Sequence, residues 1–539
     1  MRKFRSIGCL LMAGVLGASL GFTACGGEEF LDADGNKVTD PSKIVEIQLW
    51  NSGLGKEWLE VLTKKYMEDN KGVAMSIVDT ASQDTFHNTI EGGAKANSFD
   101  LYFTYGPDWR TYFEGTYTGT NYLEDLSSVF NTKIEGESTT IGNKFPQSLQ
   151  AEMKLGDKWY TGFWQMSANG LLYNVDQFNS HENWKMDTAT GLPNTSDQLN
   201  QFALRITETK NGDENMTPFL HVKGYSQYLW QVWWAQYEGV DKYQAFWENE
   251  FYDYFEAMHT SNSWNTQGEF VQPGVKKALT AFYNIIAPEG RTLYGSNSND
   301  FSVTQSNFLN GKAVMMCNGG WLETEIAKSD SEVQVKDRNI EFMKMPVLSA
   351  IVEKLENTEM SDEELSAIID YIDAGEQGEC SVSVSANDLA RIRQARNLAY
   401  SSGTEINLFI PSYAEGKEVA KDFLKFMYSD AGTALYIQTT KQIPPWYVGN
   451  VDSLDTTGWS SFAKSQIAIQ SNSTYIFKSF QHPMLYNAFK IEAFYDAPEA
   501  KFTAAYENDR RTVATFIAEE IGKLQNNWGS IRNATGLAE

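Results

Sequence analysis

Aromatic rings stand beside short polar side chains at several places where this chain turns. Trp50 runs into Asn51, Tyr105 is followed by Asp108 and Trp109, and Trp164 precedes Gln165. Trp321 comes directly after Asn318, Gly319 and Gly320, and Trp446 follows Pro444 and Pro445. Trp230, Trp233 and Trp234 share the aromatic stretch 225–237. Flat rings stack on apolar faces, and amide or carboxylate groups hydrogen-bond, so these residue types hold a ligand rather than break its bonds.

The residues that break bonds are not arranged to do so. HExxH, GxSxG, P-loop and GxGxxG patterns are missing, and His87, His181, His221, His259 and His482 are scattered without ligand spacing. No metal, no cofactor and no enzymatic activity are therefore expected. Glycoside hydrolysis needs two carboxylates held about 5 to 10 Å apart, and no such pair is recognisable. Asp79, Asp84 and Glu323 can accept hydrogen bonds from a ligand, or serve as helix caps and solvated charges.

Alternating patterns predict the elements that position these groups. Ile44 to Trp50 reads as a strand, Glu57 to Asn70 as a helix, Val73 to Val78 as a strand, Phe86 to Ala94 as a helix and Phe99 to Tyr105 as a strand. This is the βαβ pattern of a parallel sheet, whose ligands sit beyond the carboxyl ends of the strands. Lys158 to Asp176 reads as two strands around a polar centre, and Tyr225 to Tyr237 as an aromatic helix. Residues 308–326 hold a strand, a Gly-Gly turn and a helix start. Residues 349–402 read as an acidic, mostly helical insert, with Ser361 and Glu364 as a capping box. Ile406 to Ile410 returns to strand, and Glu418 to Tyr428 to amphipathic helix.

At the N-terminus, Arg2, Lys3 and Arg5 precede an apolar run from Ile7 to about Phe22, then Thr23, Ala24 and Cys25. The run is shorter than a membrane-spanning helix needs, and the arrangement predicts a signal peptide over 1–24. Residues 25–42 are polar and read as a tether. The rest, 42 % hydrophobic and 13 % aromatic, is enough for at least two lobes. A net charge of −26 makes nucleic acid and anionic membrane surfaces poor partners. With Cys9 in the signal and Cys25 at its end, only Cys317 and Cys380 remain, and stability must come from packing.

The N-terminal segment resembles a bacterial lipoprotein signal, which implies an acylated Cys25 and a palmitate-bearing anchor. Three further segments, Asn169 to Asp176 (NGLLYNVD), Gly311 to Trp321 (GKAVMMCNGGW) and Glu415 to Tyr428 (EGKEVAKDFLKFMY), resemble the extracellular solute-binding proteins of carbohydrate ABC transporters, the group that includes maltose-binding protein. The order and spacing of these segments match that family across nearly the whole mature chain, apart from the 349–402 insert. The resemblance implies an α/β, two-lobe periplasmic-binding-protein-like fold with hinge-linked lobes and an interlobe ligand cleft. Lobe one would take 43–165 plus 406–447, and lobe two 166–405 plus 448–539. It further implies an oligosaccharide ligand, permease subunits of an ABC transporter as partners, and a monomer held by lipid on the outer face of the bacterial cell membrane.

A sugar has an apolar C–H face and a rim of hydroxyls, which suits stacked rings flanked by polar groups. The candidate contacts are accordingly Trp50, Asn51, Asp108, Trp164, Trp230, Trp233, Trp234, Asn318, Trp321 and Trp446. Trp321 leads, because the matching position in the maltose-binding group is an aromatic that stacks on the sugar. Ser167 stands where oligosaccharide binders of that group can carry an acid. The rival readings are a surface adhesin, a lipoprotein binding a peptide or other polar solute, and a surface glycoside hydrolase.

Overall fold

The computed structural model of the chain describes residues 29–51, 53–80, 86–106, 109–114, 121–209, 216–264, 270, 272–329, 331–479 and 497–534. The signal stretch, Cys25, Asp84 and Asp108 lie outside them.

The first hundred residues fold as their periodicity requires. Val45, Ile47 and Leu49 of strand Ile44–Trp50 are buried while the residues between them are half-buried. The strand lies parallel to Ala74–Thr80 and Leu101–Tyr105, with Ile47 opposite both Ile77 and Leu101. Ile406–Phe409 then pairs antiparallel with Leu101–Tyr105, and Gly162–Phe163 with Ile406–Phe409, completing a five-stranded sheet. Trp58, Leu62 and Tyr66 of helix Glu57–Asp69 and Phe423, Leu424 and Met427 of helix Lys417–Met427 share one core with Val45 and Ile47.

A second, six-stranded sheet runs in the order Thr474–Ile476, Leu398–Tyr400, Asn169–Asn174, Ala313–Gly319, Thr217–Leu220, with Ile340–Phe342 also paired to Asn169–Asn174. Each sheet centres an α/β lobe. The region read as two strands between Lys158 and Asp176 instead forms Lys158–Trp159, Gly162–Phe163 and Asn169–Asn174, which belong to three different sheets. The reason is that the chain leaves the first lobe between the last two, so no continuous ladder can form. It returns between Tyr400 and Ile406, and leaves again after helix Asp430–Thr440.

Helix Gln227–Glu238 is buried from Tyr228 to Tyr237 without a break, because it lies between helix Pro273–Ile286, the second sheet and the insert. The insert gathers Ser349–Lys354, Asp362–Asp373 and Ala386–Arg396 around Ile351, Leu365, Ile368, Ile369 and Ile392. Its last part departs from expectation, since Leu398–Tyr400 is a strand of the second sheet. The predicted capping box is present: Ser361 Oγ accepts the Glu364 N–H at 3.2 Å and Glu364 Oε2 accepts the Ser361 N–H at 2.8 Å. Ser361→Ala removes half of it and costs about 1 kcal/mol, expected as faster amide exchange confined to Asp362–Asp373. Cys317 is buried and Cys380 half-buried, both as free thiols. Among the described residues no helix is long and apolar enough to cross a membrane.

Candidate ligand-binding cleft

The parallel strands of the first lobe all point their carboxyl ends toward the second. At one such end the half-buried Trp50 ring stacks on Tyr105 with centroids 4.7 Å apart, and Tyr105 remains 42 % exposed, unusual for a ring at a strand end. Asn51 closes the strand by accepting the Gly53 N–H at 3.1 Å, and its Nδ2 donates to Asp79 at 3.1 Å. These bonds hold the turn that carries Trp50.

In the second lobe, strand Ala313–Gly319 ends in two glycines, and Trp321 opens helix Leu322–Lys328. A Cβ on Gly319 would stand 2.4 Å from the Trp321 ring, so only glycine lets the indole lie against the strand end. Tyr225 and Tyr228 meet this ring edge-on at 5.9 and 6.3 Å, and Tyr228 stacks on Tyr400 at 5.5 Å. The Trp321 N–H is buried and meets no acceptor of hydrogen-bonding geometry among the described residues, although the Tyr225 hydroxyl lies beside it.

The two lobes touch here. Gly53, at φ +72°, lies against Trp321 and Glu325, 3.1 and 2.8 Å from where its Cβ would be. Lys328 bridges to Glu57 across the lobes at 3.3 Å. The Tyr228 hydroxyl is pushed far above the ordinary tyrosine range, first by burial and then by Tyr225, Tyr105 and Glu405. That proximity sets the Trp50–Tyr105 pair of one lobe opposite the Tyr225, Tyr228 and Trp321 rings of the other.

Amide side chains bind the crossing segments together. Gln165 donates to Ser167, Ser167 to Gln442 and Gln442 to the Gly320 carbonyl, at 2.9, 2.8 and 3.1 Å. Gln470 Nε2 donates to the Met166 carbonyl at 2.8 Å. The hinge is thus hydrogen-bonded to the residue before Trp321. Nearby, Arg110 pairs with Glu152 at 3.3 Å, both almost fully buried, and Ser479 donates to Glu152 at 2.5 Å. Lys478 lies over the Trp247 ring at 5.2 Å; burial drives its pKa well down, with Glu405 opposing. Among the described residues no group of His, Cys, Asp or Glu is placed to hold a metal.

Of the predicted contacts, Trp50, Asn51 and Trp321 stand at this junction. Asn318 lies beside it but is fully buried, its Oδ1 accepting the adjacent Gly319 N–H at 2.8 Å. Five tryptophans are core residues instead. Trp164 stacks on Trp58 at 5.3 Å and donates to the Asn407 carbonyl at 3.1 Å. Trp446 donates to Thr433 at 2.8 Å within the first lobe's core. Trp233 and Trp234 donate to the Pro346 carbonyl and to Gln272 at 2.9 and 2.8 Å, and Trp230 stacks on Trp234 at 6.3 Å. The physical reason is that their helix is covered on every side, so its rings fill space between elements. Tyr225, Tyr228 and Tyr400 were not singled out in the sequence. The first two are hidden inside an aromatic run, and Tyr400 carries no local signal at all.

The family model for bacterial extracellular solute-binding proteins matches residues 62–448 of the chain. No curated protein matches it in sequence. Solved structures share its fold at low identity. A chitin oligosaccharide binding protein is 13 % identical, with a TM-score of 0.56 over 91 % of this chain and 99 % of its own. The apo form of RafE from Streptococcus pneumoniae is 14 % identical, with a TM-score of 0.57 over 89 % and 98 %. The bacterial solute receptor AcbH, described as preferring β-D-galactopyranose, is 12 % identical, with a TM-score of 0.56 over 90 % and 99 %.

Proposed function

We propose, from the premise that this chain belongs to the bacterial extracellular solute-binding proteins, that it binds an oligosaccharide between its lobes and delivers it to an ABC importer. One observation carries the reading: a stacked pair, Trp50 and Tyr105, on one lobe stands opposite Tyr225, Tyr228 and Trp321 on the other. Rings on both sides can sandwich the C–H faces of a sugar only when the lobes are together. The ligand then stabilises the closed state by the contacts that the open state lacks. The neighbours described as binding chitin oligosaccharide and galactopyranose agree with this.

In this reading Trp321 and Trp50 stack, Tyr105 and Tyr228 complete the lining, and Asn51 and Asn318 shape the two turns. Lobe one comprises 43–165 plus 406–447, and lobe two 166–405 plus 448–539. The protein catalyses nothing, works as a monomer, and is held on the outer face of the cell membrane by lipid on Cys25 with 25–42 as tether. Permease subunits on other chains receive the sugar.

The test is the melting temperature of the chain without residues 1–24, scanned against plant, starch and host-glycan oligosaccharides of two to six units. A ligand at about 100 times its dissociation constant adds about 2.7 kcal/mol. We expect an upward shift within one linkage class. No shift with any glycan overturns the reading in favour of a peptide or another polar solute.

A further inference from the structure

We propose that closure of the lobes over a bound oligosaccharide takes up a proton at Glu325, so that the site binds more tightly as pH falls. The proposal rests on the oligosaccharide reading for its ligand and on the lobe contact for its mechanism. Glu325 lies one helical turn beyond Trp321, so both side chains share the face turned to residues 51–55 of the first lobe. One carboxylate oxygen accepts from Gln305 Nε2 at 2.6 Å. The other lies directly under Gly53, 2.8 Å from where a Cβ would stand.

Nothing nearby neutralises this carboxylate. Lys328 on the same helix is engaged with Glu57 at 3.3 Å, and Lys56 with Glu60 at 2.9 Å. The other charged groups on the surrounding elements are Glu323 on its own helix, Asp300 at the head of helix Phe301–Leu309, and Lys336 and Asp337 in the turn Val335–Asp337. Asp79, bonded to Asn51, and the Tyr225 hydroxyl complete the surroundings. None of the cations among the described residues forms an ion pair with Glu325. A carboxylate taken out of water without a cation prefers its protonated form. Burial accordingly lifts Glu325 to about 7, with the Gln305 hydrogen bond opposing.

The sign follows from which state holds the proton. When the lobes part, Gly53 withdraws, water reaches the carboxylate and its pKa falls toward the ordinary value of about 4.3. Between those two values the closed state carries a proton that the open state lacks, so lowering the pH favours closure. Affinity is then about tenfold higher at pH 6 than at pH 8, one pH unit below the closed-state midpoint being about one decade.

Two measurements decide it, on the chain without residues 1–24 and on Glu325→Gln, which is neutral at every pH. Small-angle scattering without sugar, from pH 8.5 to 5.5, is expected to show the wild type becoming more compact as pH falls. The variant should be compact throughout. Calorimetry with the glycan giving the largest thermal shift, run at pH 6.5 in buffers of different ionisation enthalpy, is expected to show proton uptake by the wild type alone. A wild type whose dimensions ignore pH, or a variant that keeps the wild-type pH response, overturns the proposal. If no glycan binds, the oligosaccharide reading fails by itself, and the scattering result still decides whether closure is tied to Glu325.

Discussion

Trp321→Ala weakens oligosaccharide binding by about 2 to 4 kcal/mol, which is about 30- to 1,000-fold in dissociation constant. The ring is only 7 % exposed in the closed arrangement. Its edge contacts with Tyr225 and Tyr228 and the bare Gly319 beneath hold it in one orientation. A ring fixed before the ligand arrives loses little freedom on binding, so most of its stacking energy appears as affinity. Isothermal titration with the glycan from the thermal panel measures the loss, and circular dichroism checks the fold. An unchanged affinity in a folded variant removes Trp321 from the site.

Trp164→Ala has the opposite signature, a loss of stability by about 3 to 5 kcal/mol with affinity unchanged in the folded molecules. Trp164 is completely buried against Trp58 and Phe103, and its indole N–H satisfies the Asn407 carbonyl of the neighbouring strand. Alanine leaves a cavity between helix Glu57–Asp69 and the sheet, and an acceptor without its donor. A lower urea midpoint with an intact dissociation constant is the expected result. A variant that melts like the wild type but binds poorly would return Trp164 to the cleft. The pair of variants therefore separates two tryptophans that look alike in the sequence, each beside polar residues at a turn.

That likeness shows why the fold was more legible than the site. Strand Ile44–Trp50 and helix Glu57–Asp69 were found almost residue for residue, because alternation and the helical period are properties of consecutive side chains. The Gly-Gly turn before Trp321 was legible for the same reason. Trp164, Trp446 and the three tryptophans of Gln227–Glu238 were read as contacts, yet an indole beside Gln or Pro carries no mark of which neighbours will cover it. Tyr400 went unnoticed because what makes it part of the lining is Tyr228, 172 positions earlier in the chain.

The sequence by itself determined the order of the elements, the two-lobe architecture and the likelihood-bearing motif around Trp321, since each depends on local pattern or on segments in fixed order. Only the tertiary structure decided which rings are core and which meet across the junction, and that Glu325 comes to rest beneath Gly53. Burial and electrostatic environment are set by residues far apart in the chain. They come into being only when the two lobes approach.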